Sequence, residues 1–540
     1  MRAFAELLDR LSLTASRNAK LTLVRDFLAS QPDPERGWAL AALTGELVFD
    51  AAKPAFIRKA VEARMDPQLF RWSYDYVGDL AEAVALVWPA RPGANREPEL
   101  GEVVDGLAAA SRAEVQALIE RWLDALPDAT DRWALLKLLT GALRVGVSAR
   151  LAKQACAALG GVDVAEIEEV WHALHPPYED LFAWLEGRSD RPSPDAPGRF
   201  RPVMLAQAID EAVDFPKLDP ADYAAEWKWD GIRVQAVNEG GVRRLYSRNG
   251  DDISKSFPDV LELLEFDGAI DGELLVLRDG RVASFGDLQQ RLNRKTVDAK
   301  ALAAFPAGIR AYDLLAANGE DTRTLPFAER RQRLEAFVAR LGQPRIDLSP
   351  LQPFESWEGL AALRLDPPAG DPQVAEGLML KRWGSIYEAG RPKGPWFKWK
   401  RDPMLIDAVL MYAQRGHGKR SSFYSDYTFG VWREDEAGRR SLTPVGKAYF
   451  GFTDEELKQI DKFVRDNTIE RFGPVRSVRA EPHFGLVFEV AFEGLQRSTR
   501  HKSGVAMRFP RISRIRWDKP AGEADELETL ERMLEKLEGR

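Results

Sequence analysis

Cysteine is almost absent from the chain: Cys156 is the only one in 540 residues. A single thiol can form neither an internal disulfide nor a four-cysteine zinc site, which fits a reducing compartment. The histidines are few as well, and His172, His175, His417, His483 and His501 show no metal-ligand spacing. No apolar run approaches the roughly 20 residues that a membrane helix needs. The amino terminus, MRAFAELLDRLSL, carries acids where a signal peptide would be uniformly basic and apolar. A cytoplasmic location without a membrane partner is therefore expected. An overall positive charge is lacking too: the formal total is -8, which argues against a chain-wide affinity for phosphates. Internal repeats and low-complexity tracts are not found.

The chain does have length, changes of texture and local charge. At this size one core is not enough, and three or four domains are expected. Residues 1–186 read as helical, with apolar residues three and four apart, as in DRWALLKLLTGALRVGV with Leu135, Leu136, Leu138, Leu139 and Leu143. A stretch rich in Pro, Gly, Ser and charge over 187–202 reads as a linker. Residues 203–402 mix short β-rich runs (GIRVQAV, AIDGELLVL, EGLMLKRW, PWFKWK) with helical pieces, an α+β domain. Residues 403–540 alternate again in β fashion and suit a small barrel, ending in a leucine-spaced helix that begins near Leu527. Charge is unevenly spread. Residues 381–420 hold ten Lys/Arg against three Asp/Glu, and residues 491–520 eight against two. Such local fields, more than the total, decide where a polyanion docks.

The segment AEWKWDGIRVQ, residues 225–235, sets an amine between two tryptophans. On a strand, Ala225, Trp227 and Trp229 point one way, and Glu226, Lys228 and Asp230 the other. Taken alone this is an edge strand with a solvated face, and SRNG at 247–250 is a hairpin turn. An ordered series of short runs along the chain carries more: KWDGIR at 228–233, SRNG, DGE at 271–273, YD at 312–313, EGLMLK at 376–381, KWK at 398–400 and RWDK at 516–519. Together these runs resemble the nucleotidyltransferases that form lysine–nucleotide adducts, and EGLMLK with SRNG resembles the ATP-dependent DNA ligases. The resemblance covers residues 203–520 and extends to TGALRVGVS at 140–148, similar to a helix–loop element of the DNA-binding domain in the longer ligases.

The resemblance implies an all-α DNA-binding domain, a nucleotidyltransferase domain and an OB-fold β-barrel. It implies ATP and Mg2+ (or Mn2+) as cofactors and nicked duplex DNA as partner, encircled by a monomer in a nucleoid-associated location. Lys228 is the expected nucleophile. A free lysine ionises near pH 10.4, and nearby cations and partial desolvation lower that value. Lys398 and Lys400, on one strand face by alternation, supply that field and grip the phosphates. Glu376, with Asp230 as a second candidate, is expected to hold the metal. Tyr312, where the family often has Phe, can stack on adenine and Met379 can cover its other face. Glu226 or its neighbouring backbone can accept the exocyclic amine. Glu273 is implied at the ribose hydroxyls, and Lys381 and Arg391 belong to the same nucleotide site. Arg233 and Arg248 suit a phosphate, either that of AMP or the 5′-phosphate of a nick. Simple alternation puts Glu376 and Lys381 on opposite faces, so joint use requires a bend near Gly377.

Arg516 and Lys519 are expected to orient the departing pyrophosphate, nearly 300 positions after the nucleophile, which implies domain closure. In TGALRVGVS, Gly141, Arg144 and Gly146 can let backbone amides approach a phosphate. A plain helix end with glycine punctuation explains the same residues. RNA ligases and capping enzymes share the lysine chemistry but are not expected to carry some 190 helical residues in front. NAD-dependent ligases use a zinc finger that one cysteine cannot build. A non-catalytic DNA-binding scaffold is the reading from another class, and the intact KWDG, EGLMLK and KWK argue against it.

Overall fold

A computed structural model of the chain describes residues 1–537 apart from positions 15, 48, 50–53, 92, 94, 95, 112, 142, 194–196, 279, 280, 293–296, 366–373, 416–423 and 436. His417, Ala142 of the TGALRVGVS run and residues 194–196 of the linker thus lie outside the described residues.

From Arg2 to Leu185 the described residues form α-helices with one short 3-10 turn and no strand, as the periodicity predicts. Their ends follow from local chemistry. The side chains of Ser16, Asp66, Ser148 and Asp163 accept hydrogen bonds from backbone N–H groups of the first turns they cap. Gly45, Gly78, Gly141 and Gly161 end helices in the left-handed conformation. The helix Ala129–Thr140 buries Leu135, Leu136, Leu138 and Leu139. Leu143 does not continue it, because Gly141 caps the helix two residues earlier.

The chain folds as two compact units, and the helix Val164–Val170 with the turn Trp171–Ala173 belongs to the one containing Arg191–Asp402. Side-chain chemistry explains the placement. Glu169 accepts hydrogen bonds from Arg191 and Arg323, both at 3.0 Å, and the His172 ring lies 4.7 Å from that of Tyr246 and 5.5 Å from that of Phe200. A division at residue 186, drawn from helical texture, does not see these long-range partners.

Among its described residues that unit has twelve strands: β1 (Gln207–Ala208), β2 (Tyr223–Trp229), β3 (Ile232–Glu239), β4 (Val242–Ser247), β5 (Gly268–Arg278), β6 (Arg281–Val282), β7 (Ala307–Ala317), β8 (Glu320–Asp321), β9 (Ile346–Leu348), β10 (Leu351–Gln352), β11 (Ala375–Arg382) and β12 (Trp396–Lys400). One sheet runs β1-β12-β11-β2-β10, the other β4-β3-β5-β7-β8 with β6 on β5 and β9 on β7. Each sheet has its own apolar layer. Ala225, Trp227 and Trp229 of β2 pack with Leu378, Leu380, Phe397, Trp399, Trp357 and Leu360. A buried aromatic removes about 150–250 Å2 from water, worth about 4–6 kcal/mol per ring at ~25 cal/mol per Å2. These rings fix which face of β2 is inward, and so where Glu226 and Lys228 point. The second sheet packs Val234, Ile270, Leu274, Ile309 and Leu314 against Leu334 and Phe337 of the helix Phe327–Leu341.

The region after Asp402 is antiparallel: β13 (Met404–Arg415), β14 (Tyr424–Glu434), β15 (Arg440–Ala448), β16 (Thr468–Phe472), β17 (Val475–Val478), β18 (Val487–Phe492), β19 (Gly494–Arg497), β20 (Val505–Arg508) and β21 (Arg511–Arg516). The long β13 pairs with β14, β17 and β18, β18 pairs with β21, and β15 ends the other side. Among the described residues this curled sheet does not close on itself, so the expected barrel is present as an OB-like β domain without a closed seam.

Candidate active site

A cavity of about 420 Å3 is lined by residues of both sheets of the twelve-strand unit, a size that suits a nucleotide. Glu226, Lys228, Arg233, Arg248, Glu273, Tyr312, Glu376, Met379, Lys381, Lys398 and Lys400 all contribute. Residues far apart in sequence therefore converge on one space.

Strand register orders its contents. Lys381 lies opposite Trp396 and Ala224, Met379 opposite Lys398 and Glu226, and Gly377 opposite Lys400. One end thus carries rings and the Glu226–Lys381 pair, and the other carries Lys228, Lys400 and Glu376. The bend needed at Gly377 is there. Register shifts between Ala375 and Leu378, Gly377 adopts φ +144, and a side chain at that position would run into the Trp399 carbonyl oxygen. The bulge brings Glu376 to the face that already holds Lys381.

At the polar end Lys228 Nζ donates to Glu376 Oε2 at 2.6 Å, and Lys400 Nζ lies 3.3 Å from the same oxygen. Burial works against the Glu376 charge, but Lys228 and Lys400 overcome it and hold the carboxyl well below the usual range. Burial lowers the Lys398 ammonium, reinforced by the like charges of Lys400, Arg391, Lys228 and Arg248. Burial pushes the Glu273 carboxyl up to about 8 against the pull of Lys228 and Arg233. A cluster of cations with one paired carboxylate is a field prepared for a polyanion.

At the other end Lys381 and Glu226 form an ion pair at 2.9 Å, each side chain 2% exposed. Three rings face the ammonium: Tyr312 at 4.5 Å, Trp396 at 4.7 Å and Phe327 at 5.0 Å. Glu226 Oε1 accepts no aligned hydrogen bond, and the buried Trp396 Nε1 has no acceptor. Glu226 Oε1 is thus held by the Lys381 ammonium, while the indole N–H of Trp396 stands without an acceptor beside apolar surface.

Several expected residues have other duties. Arg233 spends its fork on the buried Asp271, with Nε to Oδ1 at 3.0 Å, and also donates to Met204 O and the Tyr387 hydroxyl. Tyr387 in turn donates to Asp271 at 2.7 Å. Arg233 therefore braces the cavity wall, whereas Arg248 lines the cavity and its charge acts on Lys398. Asp230 does not line the cavity; its backbone N–H donates to Val374 O at 3.0 Å. Arg391 is exposed and reaches the site only through its charge on Lys398. SRNG is a turn, with Gly250 N donating to Ser247 O at 2.9 Å, and it is also the mount of Arg248. Asp313 of the YD pair faces away from the nucleotide space and forms a buried pair with Arg330 at 2.8 Å. Sequence reading missed Trp396, Asp271 and Tyr387; only the aromatic start of PWFKWK hinted at the first.

Arg516 and Lys519 both reach Asp407 Oδ2, at 3.1 and 2.7 Å, and Arg516 Nη2 also donates to Asp518 at 2.8 Å. In the helical region Gly141 is a helix cap and the exposed Arg144 has φ +51. The buried Lys20 donates to Val145 O at 2.7 Å and Gly146 O at 3.3 Å, fixing this loop from beneath.

Among the described residues no group of three or more His, Cys, Asp or Glu forms a metal site, and no helix is long and apolar enough to cross a membrane.

Comparison with known proteins agrees with this geometry. Residues 203–400 match the family model for the ATP dependent DNA ligase domain, and residues 420–519 that for the ATP dependent DNA ligase C terminal region. The chain is 32% identical to a probable DNA ligase of Koribacter versatilis over 98% of its own length and 96% of the relative's. It is 31% identical to DNA ligase 1 of Korarchaeum cryptofilum over 99% and 98%. A solved structure described as Pmar-Lig_PreS3 shares the fold, with a TM-score of 0.57, 15% identity, and coverage of 95% of this chain and 99% of the other. The chain belongs to the family of ATP-dependent DNA ligases, enzymes that seal nicks through a lysine–AMP intermediate.

Proposed function

We propose that Lys228 is the nucleophile of this ligase and that the cavity between the two sheets is its ATP site. The supporting observation is the polarity of that cavity: rings and the buried Lys381–Glu226 pair at one end, Lys228 among Lys398, Lys400 and Arg248 at the other. Lys228 Nζ, held 2.6 Å from Glu376 Oε2, releases its proton to water and attacks the α-phosphorus. The nitrogen–phosphorus bond forms as the bond to pyrophosphate breaks. Lys398 and Lys400 offset the charge spread over the phosphate oxygens, so that rate comes from positioning and fixed charge. Tyr312 and Met379 flank the base, and Glu273 meets the ribose.

A divalent ion fits this donor set. Glu376 would hold it, the ATP phosphates and water would complete its shell, and it would supply charge neutralisation at the phosphates. No protein-only cage is needed, which agrees with the lack of a carboxylate cluster among the described residues.

For the later steps, AMP passes to the 5′-phosphate of the nick, and the 3′-hydroxyl then attacks that phosphate and releases AMP. Arg516 and Lys519 serve pyrophosphate departure, exchanging Asp407 for phosphate oxygens when the OB-like domain closes. The loop carrying Gly141 and Arg144 contacts the DNA backbone, and a monomer encircles the duplex. Contacts should go mainly to phosphate and sugar, because a sealing enzyme works at any sequence. Nick sealing on DNA/DNA, RNA/DNA and double-strand-break substrates, with ATP, GTP and NAD in parallel, tests the reading. Sealing of the DNA/DNA nick with ATP is expected; sealing with NAD alone, or with no nucleotide substrate, would refute it.

A further inference from the structure

The helix Arg17–Ser30 buries Lys20, Val24 and Leu28, so an ammonium takes a place on an apolar stripe where four-residue spacing calls for a hydrocarbon side chain. Lys20 is only 6% exposed. A charge buried this far costs a great deal unless it is hydrogen-bonded, and Lys20 Nζ donates to Val145 O at 2.7 Å and Gly146 O at 3.3 Å. Neither helix beside the loop needs this tie. Gly141 ends the helix Ala129–Thr140 in the left-handed conformation, and the Ser148 side chain caps the helix Ala149–Gly160. Arg17 donates to Gln154 of that second helix, which anchors the start of the Lys20 helix beside the loop.

Peptide geometry carries this grip to the far side of the loop. In a trans peptide the C=O of one residue and the N–H of the next point in opposite directions. With the Val145 and Gly146 carbonyls turned toward Lys20, the N–H groups of Gly146 and Val147 are turned away from it. Gly146 is exposed, and among the described residues neither N–H has an acceptor. The exposed Arg144 at φ +51 and Gly146 at φ +70 place left-handed residues on both sides of Val145, a backbone form that gathers N–H groups around an anion.

We propose that Lys20 is a positioning residue for nicked duplex DNA: its hold on the Val145 and Gly146 carbonyls aims the N–H groups of Gly146 and Val147, beside Arg144, at a phosphate of the DNA backbone. This rests on the reading of the loop as a DNA contact and deepens it. Lys20 itself stays beneath the loop and does not touch the phosphate. Backbone amides suit a sealing enzyme, because a phosphate is offered at every sequence.

The test is sealing of a pre-adenylated nick by the full chain, with KM for the duplex and kcat read separately, beside self-adenylation with ATP and a thermal melt. Lys20→Met keeps a side chain of similar length and removes its donors. KM is expected to rise on the order of 10- to 100-fold, the range for hydrogen bonds made to a charged group, while kcat and self-adenylation stay within a few-fold of the parent. A KM at the parent's value would overturn the proposal. So would comparable losses in KM, kcat and self-adenylation, which a merely structural lysine gives. Should Lys20→Met fail to show a cooperative melt, Gly146→Ala decides. A Cβ at Gly146 would run into Lys20 Nζ and drives the ammonium off its carbonyls, so KM must rise, and an unchanged KM overturns the proposal. Arg144→Ala separates the two readings. A KM that rises in Arg144→Ala alone refutes the positioning role; a KM that rises in none of the variants refutes the loop as a DNA contact as well.

Discussion

Gly377→Ala tests how the two halves of the polar cluster are brought together. Gly377 adopts φ +144, and a Cβ there would meet the Trp399 carbonyl, lie 2.8 Å from Lys400 Cα and 3.1 Å from Arg401 N. All three are backbone, and Arg401 N is itself tied to Glu376 O at 2.9 Å, so no flexible side chain can move aside. The disfavoured backbone conformation costs about 1–3 kcal/mol and the forced separation about 1–3 more. A total near 4 kcal/mol corresponds to a loss of about 8–16 °C in melting temperature for a unit of some 200 residues. Because Glu376 precedes Gly377 and Lys400 faces Gly377 across the ladder, the same displacement moves the carboxylate that holds Lys228 and the second ammonium on it. A shift of about 1 Å is worth up to ~100-fold in rate. Thermal melting and single-turnover adduct formation measure the two effects. Gly384→Ala is the control: a Cβ there meets nothing within 4 Å, and it should stay within about 0.5 kcal/mol of the parent. A Gly377→Ala protein that melts and adenylates like the parent would refute the role given to the bulge.

Single contacts carry the remaining expectations. Arg330 and Asp313 are paired with 0% exposure on both sides, so Arg330→Met should cost about 3–5 kcal/mol by urea titration; Arg330→Met with Asp313→Leu should cost less, and an equal or larger loss would contradict the pairing. Burial raises Glu273 from 4.5 to about 8. The native state then holds a proton that the unfolded chain releases, so this stability is full below about pH 4.5 and is lost as pH rises through about 8. Glu273→Gln should flatten the fall in melting temperature between about pH 5 and pH 8, by about 1–2 kcal/mol once cavity water is allowed for; an unchanged slope would refute it. Lys519→Ala should slow self-adenylation more than sealing of a pre-adenylated nick, and equal losses would exclude a role in pyrophosphate departure.

What the chain reveals before folding is whatever repeats or lies close in sequence. Alternation along β2 sets Glu226 and Lys228 apart from Trp227 and Trp229, and the clash of alternation between Glu376 and Lys381 locates the bend at Gly377. Partners brought in from far away are not visible in this way. Arg233 looks like a phosphate fork until Asp271 and Tyr387 take its donors. Glu169 and His172 lie in helical sequence, yet their partners Arg323, Phe200 and Tyr246 put them with the transferase strands. The OB-like sheet has the expected strands, but closure depends on pairing between β15 and β21, which no local pattern encodes.

The most direct measurement is where the nucleotide becomes attached. After incubation with ATP, denaturation and proteolysis, mass spectrometry should find one AMP on the Lys228 side chain, and Lys228→Ala protein should carry none. Adenylate on a different residue, or labelling of Lys228→Ala at the parent's level, would contradict the account.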